Sequence, residues 1–325
     1  MTSLETEFVS AQGVNSCSDW LASLVNDAKQ GQAVDAIAEL CAYWGSETWD
    51  EEDVTNGLFG LADSDQVSEV RNVLPILFEW TRERHIEISA PFISAISVIL
   101  SSDEAFSIQD LGLFSELLEA QIQVAHNTSE YEDLVHAAMI CWDRVQSVSA
   151  LDAAREIMDT LLDGVCASQQ KRLEYWNSLQ SFCIGSWKRL SVRQQLLVRS
   201  CAEDATQAVS QFPAIEELDN EKPNPSVDLS GKKLAIYTLT EGAARRAAAV
   251  IQKLFPELEI KLNHDKTATD SLVNLAKTVD YFVFASRSAT HQAFYPVTKA
   301  REEVLYPNGK GSSSIVRCVV DAFQS

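Results

Sequence analysis

The chain has 325 residues, with 47 Asp and Glu against 26 Lys and Arg, and a formal net charge of −21 at neutral pH. This length fits two domains of ordinary size, each able to bury its own core. The seven cysteines contain no C-x-x-C pair, the first residues lack a signal-peptide pattern, and no apolar run is long enough to cross a bilayer. We therefore expect a cytoplasmic protein with reduced thiols and no membrane partner.

Residues 1–210 show the apolar period of amphipathic helices, without an intervening strand pattern. Leu134, Ala138 and Cys141, for example, recur at i, i+4 and i+7. We predict an all-helical acidic domain, either a bundle or a short α-solenoid. The predicted helices are Asp19–Ala28, Ala33–Trp44, Gln66–Trp80, Pro91–Leu100, Leu111–Val124, Tyr131–Val145, Leu151–Leu162, Lys171–Cys183 and Val192–Ala208.

Charge is divided unevenly along the chain. Residues 1–165 hold 30 Asp and Glu against 6 Lys and Arg, whereas residues 231–325 hold 9 against 13. An acidic surface repels phosphate backbones, so we do not expect the helical half to bind nucleic acid directly, and only the C-terminal domain is open to such binding. The acidic half is interpreted either as a solubility feature or as a docking face for a basic partner protein.

Residues 211–230, with several prolines and a run of acids, have the composition of a linker. In residues 231–325 apolar runs alternate with helical patterns, which is typical of an α/β domain. We predict a two-domain α plus α/β chain, whose C-terminal domain is a small Rossmann-like or flavodoxin-like parallel sheet of about four strands. The predicted strands are Leu234–Leu239, Leu258–Leu262, Tyr281–Ala285 and Val304–Tyr306, and the predicted helices are Glu241–Phe255, Thr269–Lys277, Ala289–Arg301 and Ser312–Phe323.

Polar clusters follow all four predicted strands. Because the carboxyl ends of parallel strands share one edge of a sheet, where α/β folds bind their ligands, we expect these clusters to form one site. The ligand suggested by the polar groups is a nucleotide or another phosphate-bearing molecule. The candidate ligand-binding residues are Thr240, Glu241, Arg245, Asn263, His264, Asp265, Ser286, Arg287, His291, Gly309, Lys310, Gly311 and Ser312.

The last of these clusters, residues 309–314, leads into a predicted helix. Its backbone N–H groups, the helix dipole and Lys310 could together hold a phosphate. It is not a Walker loop, because Val304 stands where the upstream glycine is required. The alternative is a turn at residues 307–309 followed by a serine cap on the helix.

Glu241, His264 and Asp265 are the candidates for catalysis, since an imidazole beside a carboxylate can act as a general base. The same groups could instead bind a ligand or partner by hydrogen bonds, or cap the next helix through Asp265 or Asn263. No further residues stand at metal-ligand spacing, so we predict no metal site. Arg245 either reaches an anion at the sheet edge or pairs with Glu241 one turn earlier.

Four C-terminal segments carry a resemblance to a known family: Leu229–Ala247, Leu262–Lys266, Phe284–His291 and Tyr306–Ile315. Together they resemble the C-terminal domain of DpdD-type proteins, which are encoded in bacterial defence islands with DNA 7-deazapurine modification clusters. The resemblance implies a role in anti-phage defence and brings no agreed catalytic residues. It covers roughly residues 229–323, and the helical half shows no motif of a family.

Three functions are compatible with these patterns. We favour a non-enzymatic subunit of a defence complex, with acidic helices that dock a basic partner and an α/β domain that binds a nucleotide or phosphorylated ligand. The second is a nuclease or nucleotide hydrolase that uses the three catalytic candidates. The third is a scaffold whose polar sheet edge binds another protein.

Overall fold

The computed structural model describes residues 16–19, 21, 44–62, 67–102, 104–124, 127–205, 211–215 and 228–324. By contact density the chain divides into two compact units, residues 1–145 and 146–325. Most of the predicted helices Asp19–Ala28 and Ala33–Trp44 lies outside the described residues, as does most of the predicted linker. Within the described residues no helix combines the length and the apolar character that a membrane span requires.

The first unit is helical, as the apolar period predicts. Its centre is α3, whose buried residues lie on nearly every side because its sequence is almost wholly apolar. The helices α1, α2, α4 and α5 all pack against it. From residue 44 onward, the described helices of this unit run over Glu51–Ala62 (α1), Val67–Glu83 (α2), Ala90–Ser102 (α3), Ile108–Val124 (α4) and Thr128–Val145 (α5).

The second unit combines helices with a small parallel sheet. Three helices from the predicted helical half, α6, α7 and α8, belong to this unit, and α6 and α8 pack against helices of the α/β part. The domain boundaries at residues 210 and 230 stay a prediction. The elements are Leu151–Asp163 (α6), Gln169–Ser186 (α7), Val192–Asp204 (α8), Lys233–Tyr237 (β1), Glu241–Leu254 (α9), Glu259–Asn263 (β2), Asp270–Thr278 (α10), Tyr281–Phe284 (β3), His291–Ala300 (α11) and Ser312–Gln324 (α12).

Helices cover both faces of the sheet. Alternate residues of a strand point to opposite faces, so Leu234 and Ile236 pack with α8, α9 and α12, while Ala235 and Tyr237 pack with α10 and α11. The strands β1 and β3 are therefore almost wholly buried and apolar, which is typical of parallel strands between two helical layers.

The sheet has three strands, in the order β2-β1-β3, and both pairings are parallel. Four strands are not confirmed. The segment predicted as the fourth strand contributes one isolated parallel bridge, between Leu305 and Val283. Two backbone hydrogen bonds flank this bridge, from Phe284 N to Leu305 O and from Leu305 N to Phe282 O. The chain at Pro307 then turns away, and proline has no N–H group with which to continue the ladder.

Replacement of Phe323 tests whether α12 stabilises the core of the second unit. Its ring is fully buried, 5.1 Å from the ring of Phe255 and 4.8 Å from that of Tyr281. We expect Phe323→Ala to lower the free energy of unfolding by about 3–5 kcal/mol, because the deletion leaves a cavity. Urea titration followed by circular dichroism measures the change. Tyr295→Ala, at a side chain that is 69% exposed, is the control and should cost less than about 1 kcal/mol; equal effects of the two changes would contradict the prediction.

Candidate functional site

Parallel pairing brings the ends of the three strands to one edge of the sheet. Tyr237, the last residue of β1, is in register with Asn263 of β2 and with Phe284 of β3. The residues that follow these three positions therefore start from neighbouring points. They include Thr240, His264 and Ser288, which lie on three different connections.

The connections after β1 and β3 are joined directly. Thr240 Oγ1 and Ser288 Oγ are 2.8 Å apart, and Leu239 N donates to Ser288 O at 2.8 Å. Ser288 ends a short 3-10 turn, Ser286–Ser288, in which Ser286 and Arg287 are exposed. The strand order reverses between β1 and β3, so these hydroxyls lie at the switch point where open α/β sheets bind ligands.

His264 is held at the same edge by the backbone. Its Nδ1 lies 2.6 Å from Thr238 O, and a carbonyl oxygen can only accept, so Nδ1 carries the proton. In the neutral ring Nε2 is then the nitrogen with a lone pair. The imidazole can accept a hydrogen bond through Nε2, or donate one when it is protonated.

Asp265 serves the local structure. Its carboxylate accepts hydrogen bonds from Thr269 Oγ1 and from Asn263 Nδ2, and these two bonds hold the pKa of Asp265 below its usual value. Thr269 in turn caps α10 by accepting from Leu272 N. Within residues 228–324 no hydrogen bond joins the side chains of Asp265 and His264, so the adjacent pair is not arranged as a catalytic dyad.

Two further predicted residues lie at the N-termini of helices near the sheet edge. His291 is exposed and is the first residue of α11, where Thr290 caps the helix and also donates to Lys266 O. Glu241 is exposed at the start of α9. Arg245, in contrast, donates to Asp204 of α8 at 2.8 Å rather than to Glu241, and its contact with an anion stays a prediction.

The predicted phosphate loop already holds an anion that belongs to the protein. Gly311 N donates to Glu156 Oε2 at 2.7 Å, Ser312 N to Asp159 Oδ2 at 2.6 Å, and Ser314 N to Glu156 Oε1 at 3.0 Å. A Cβ atom at Gly311 would lie 2.6 Å from Glu156 Oε2, so a side chain at this position would displace the carboxylate. The N-terminus of α12 thus binds two carboxylates of α6, in the way that such helix ends bind phosphate.

Next to this contact lies a buried ion cluster, which consists of Arg155, Asp159 and Arg246. Arg246 Nε donates to Asp159 Oδ1 at 2.8 Å, while Arg155 Nη1 donates to Ser313 Oγ at 2.5 Å. Both arginines are at most 1% exposed. Arg246 also binds Asp163 through both terminal nitrogens, at 2.6 and 3.0 Å. Burial and the neighbouring Asp159 carboxylate raise the pKa of Glu156 at the rim of the cluster.

Sequence reasoning missed this cluster, although α6 carried a signal. Arg155 and Asp159 are spaced i, i+4 on the same face as Leu151 and Met158, so charged residues interrupt an otherwise apolar stripe. Charges in such a stripe are buried when the helix packs, and buried charges require partners. Within the described residues no three His, Cys, Asp or Glu side chains converge as metal ligands.

The fold thus defines a largely helical protein with a small parallel α/β core. A family model described as DpdD-like matches residues 2–318, almost the whole chain. The chain belongs to the DpdD-like family. This confirms the resemblance of the C-terminal motifs and extends it to the helical half. No curated protein and no solved structure matches the chain.

Arg246 and its neighbour Arg245 form a matched pair for testing the ion cluster. Both bind Asp204, but the side chain of Arg246 is 1% exposed and that of Arg245 is 66% exposed. We expect Arg246→Ala to lower the free energy of unfolding by about 3–5 kcal/mol, because it leaves buried carboxylates without a counter-charge. Arg245→Ala should cost at most about 1 kcal/mol. Chemical denaturation of both variants measures the difference, and a loss of similar size in each would show that burial does not matter here.

Proposed function

We propose that the chain is a non-enzymatic subunit of a bacterial anti-phage defence complex. In this proposal the carboxyl edge of the sheet binds a nucleotide or another phosphorylated ligand. The observation that carries it is the 2.8 Å contact between the Thr240 and Ser288 hydroxyls at the switch point, with His264 held at the same sheet edge 2.6 Å from Thr238 O. Membership of the DpdD-like family supports the defence role, since such proteins are encoded in defence islands.

Two of these three side chains can donate to a phosphate oxygen at the same time, because one of the two hydroxyls donates its proton to the other. A hydroxyl donates one hydrogen bond, and a protonated imidazole donates from Nε2 while Nδ1 remains bound to Thr238 O. Exposed Arg287 lies on the 3-10 turn after β3 and can add positive charge, and exposed His291 at the start of α11 can add a hydrogen bond. The N-terminus of α12 is not included in the proposed site, because its N–H donors bind Glu156 and Asp159.

The second part of the proposal assigns the acidic helices to partner binding. Residues 1–165 carry a five-fold excess of Asp and Glu over Lys and Arg, 30 against 6. Several exposed acids lie on α1 and α5, among them Glu52, Asp53 and Asp133. A basic surface of another protein is complementary to this charge, and such complementarity accelerates association and excludes acidic competitors.

A hydrolase or nuclease remains the alternative, and one observation favours it. Because Nδ1 of His264 donates to a backbone carbonyl, Nε2 is basic in the neutral ring and can serve as a general base. Asp265, however, is bound to Asn263 and Thr269 and does not orient this imidazole. The proposed catalytic set of Glu241, His264 and Asp265 is therefore weaker in the structure than the binding set.

Isothermal titration of the full chain with purine and pyrimidine nucleotides tests the binding edge. We expect saturable binding, and His264→Ala should weaken it by about tenfold or more, since a hydrogen bond to a charged group contributes about 1.5–3 kcal/mol. His136→Ala, at an exposed histidine of α5, is the control and should leave the affinity unchanged. An absence of binding heat with every nucleotide would refute the proposed ligand. Nucleotide hydrolysis that is lost in His264→Ala but retained in His136→Ala would establish the hydrolase instead.

Co-purification from the native host tests the acidic helices. We expect a basic protein to be retained at about 0.15 M salt and released at about 1 M salt, because screening shortens the range of ion pairing from about 8 Å to about 3 Å. Replacing Glu52, Asp53 and Asp133 together by Asn or Gln should reduce the retained amount. A partner whose retention is insensitive to both salt and these substitutions would show that it docks elsewhere.

A further inference from the structure

The strand β2 is open on the side that faces away from β1, which we call the outer side of β2 (residues 259–263). Among the described residues no strand pairs with this side. At the opposite side of the sheet, β3 is partly covered by the bridge to Leu305. Three of the five residues of β2 are exposed, whereas β1 and β3 are almost wholly buried. An open strand presents unpaired N–H and C=O groups, which can pair with a strand of another chain.

The hydrogen bonds to β1 show which backbone groups of β2 point outward. Glu259 N donates to Lys232 O, just before β1, so the backbone groups of Glu259 are directed toward β1. These directions alternate along a strand, so Lys261 also faces β1. Ile260 and Leu262 therefore direct their N–H and C=O groups to the outer side of β2, where a second strand can bind them.

The charges of β2 are complementary to a second copy of the same strand. Lys261 Nζ lies 3.2 Å from Glu259 Oε1 of its own chain, so both side chains lie on one face. In an antiparallel pair centred on Ile260, Glu259 of each copy stands opposite Lys261 of the other, at the positions where opposite side chains are closest. Centring on Lys261 would oppose two like charges, which is destabilising, and centring on Leu262 would set Lys261 opposite Asn263. Charge therefore favours the pair centred on Ile260.

Apolar side chains of β2 meet in the same register. Ile260 packs against the apolar core beneath α9, and Leu262 lies on the same face because it is two residues further along the strand. Leu262 is nevertheless 38% exposed. In the pair centred on Ile260, the two Ile260 side chains stand opposite each other, and Leu262 stands opposite Leu258 of the other copy. The exposed apolar area of Leu262 is thereby removed from water, which favours association.

We infer that two copies of the chain form a symmetric dimer, in which the outer sides of β2 pair antiparallel and the two three-stranded sheets join into one. Self-complementary charge is what an isologous contact requires. An extended peptide of another protein fits less well, because β2 carries one acid and one base and so favours neither an acidic nor a basic peptide.

A groove beside β2 adds contact area to the strand pair. It has a volume of about 610 Å³ and is lined by Lys261, Leu262 and Asn263 of β2 and by residues of α10. Stable interfaces bury about 1,200 Å² or more, which is more than two short strands supply alone, so side chains of the second copy are expected to enter this groove. The inference goes beyond the proposed function, since it concerns a second copy of the chain and not a ligand at the carboxyl edge of the sheet.

Sedimentation velocity of the full chain over a concentration series tests the inference. We expect the unchanged chain to form a dimer. Glu259→Lys alone and Lys261→Glu alone should each raise the dissociation constant by about tenfold or more, because both cross-strand pairs change from attraction to repulsion. Glu259→Lys combined with Lys261→Glu exchanges the charges and should restore the dimer. Lys299→Glu, at an exposed residue of α11, is the control and should dimerise as the unchanged chain does. Circular dichroism establishes that each variant is folded.

A mixture of the two single variants tests the register itself. Each variant repels its own copies, but a Glu259→Lys chain and a Lys261→Glu chain carry opposite charges at both opposed positions, so the mixture should associate about as tightly as the unchanged chain. The amides of Ile260 and Leu262 should exchange hydrogen more slowly in the mixture than in either variant alone. An unchanged chain that stays monomeric, a dimer that both single variants retain, or a mixture that does not associate would overturn the inference.

Discussion

The contact between Asp159 and the N-terminus of α12 determines how the second unit is organised. One oxygen of this carboxylate accepts from Ser312 and the other from Arg246, so a single side chain of α6 joins α9 and α12. Removing charges from water costs several kcal/mol for each ion, and this cost is offset only when each charge keeps its partners. The three helices therefore form one structure, in which α6 is as much a part of the α/β core as the helices that follow the strands.

The same contact explains why a loop with a phosphate-binding pattern does not offer its N–H groups to a ligand. A glycine-rich turn before a helix presents N–H groups and a positive dipole end, and these attract a carboxylate as well as a phosphate. Gly311 permits the close approach of Glu156, just as Gly242 permits that of Asp163. The loop pattern alone could not distinguish the two anions, because the carboxylates stand about 155 residues earlier in the chain.

Much of the fold could be predicted from local pattern. The helices α2 to α12 and the strands β1 to β3 follow from apolar period and length, whereas α1 was not predicted. Parallel pairing then places Thr240, His264 and Ser288 at one edge. The predicted fourth strand is not confirmed, because its residue Leu305 has the composition of a strand residue but forms a single bridge. The partner of Arg246 was not predictable, since long-range pairing between charged residues leaves no periodic signal. Local apolar patterns therefore predict helices and strands, whereas the partners of polar side chains depend on tertiary contacts that the local sequence does not reveal.

The buried cluster and the polar edge both lie near the start of α9, where Gly242 is close to Asp163 and Thr240 contacts Ser288. Their chemistry nevertheless differs for a physical reason. In the buried cluster, the N–H groups of Gly311 and Ser312 already donate to Glu156 and Asp159, so they are not available to a ligand. At the sheet edge, by contrast, His264 uses Nδ1 for a backbone carbonyl and keeps Nε2, and the hydroxyls of Thr240 and Ser288 keep further hydrogen-bonding capacity. These remaining hydrogen-bonding groups are the reason why the proposed ligand is assigned to the sheet edge and not to the N-terminus of α12.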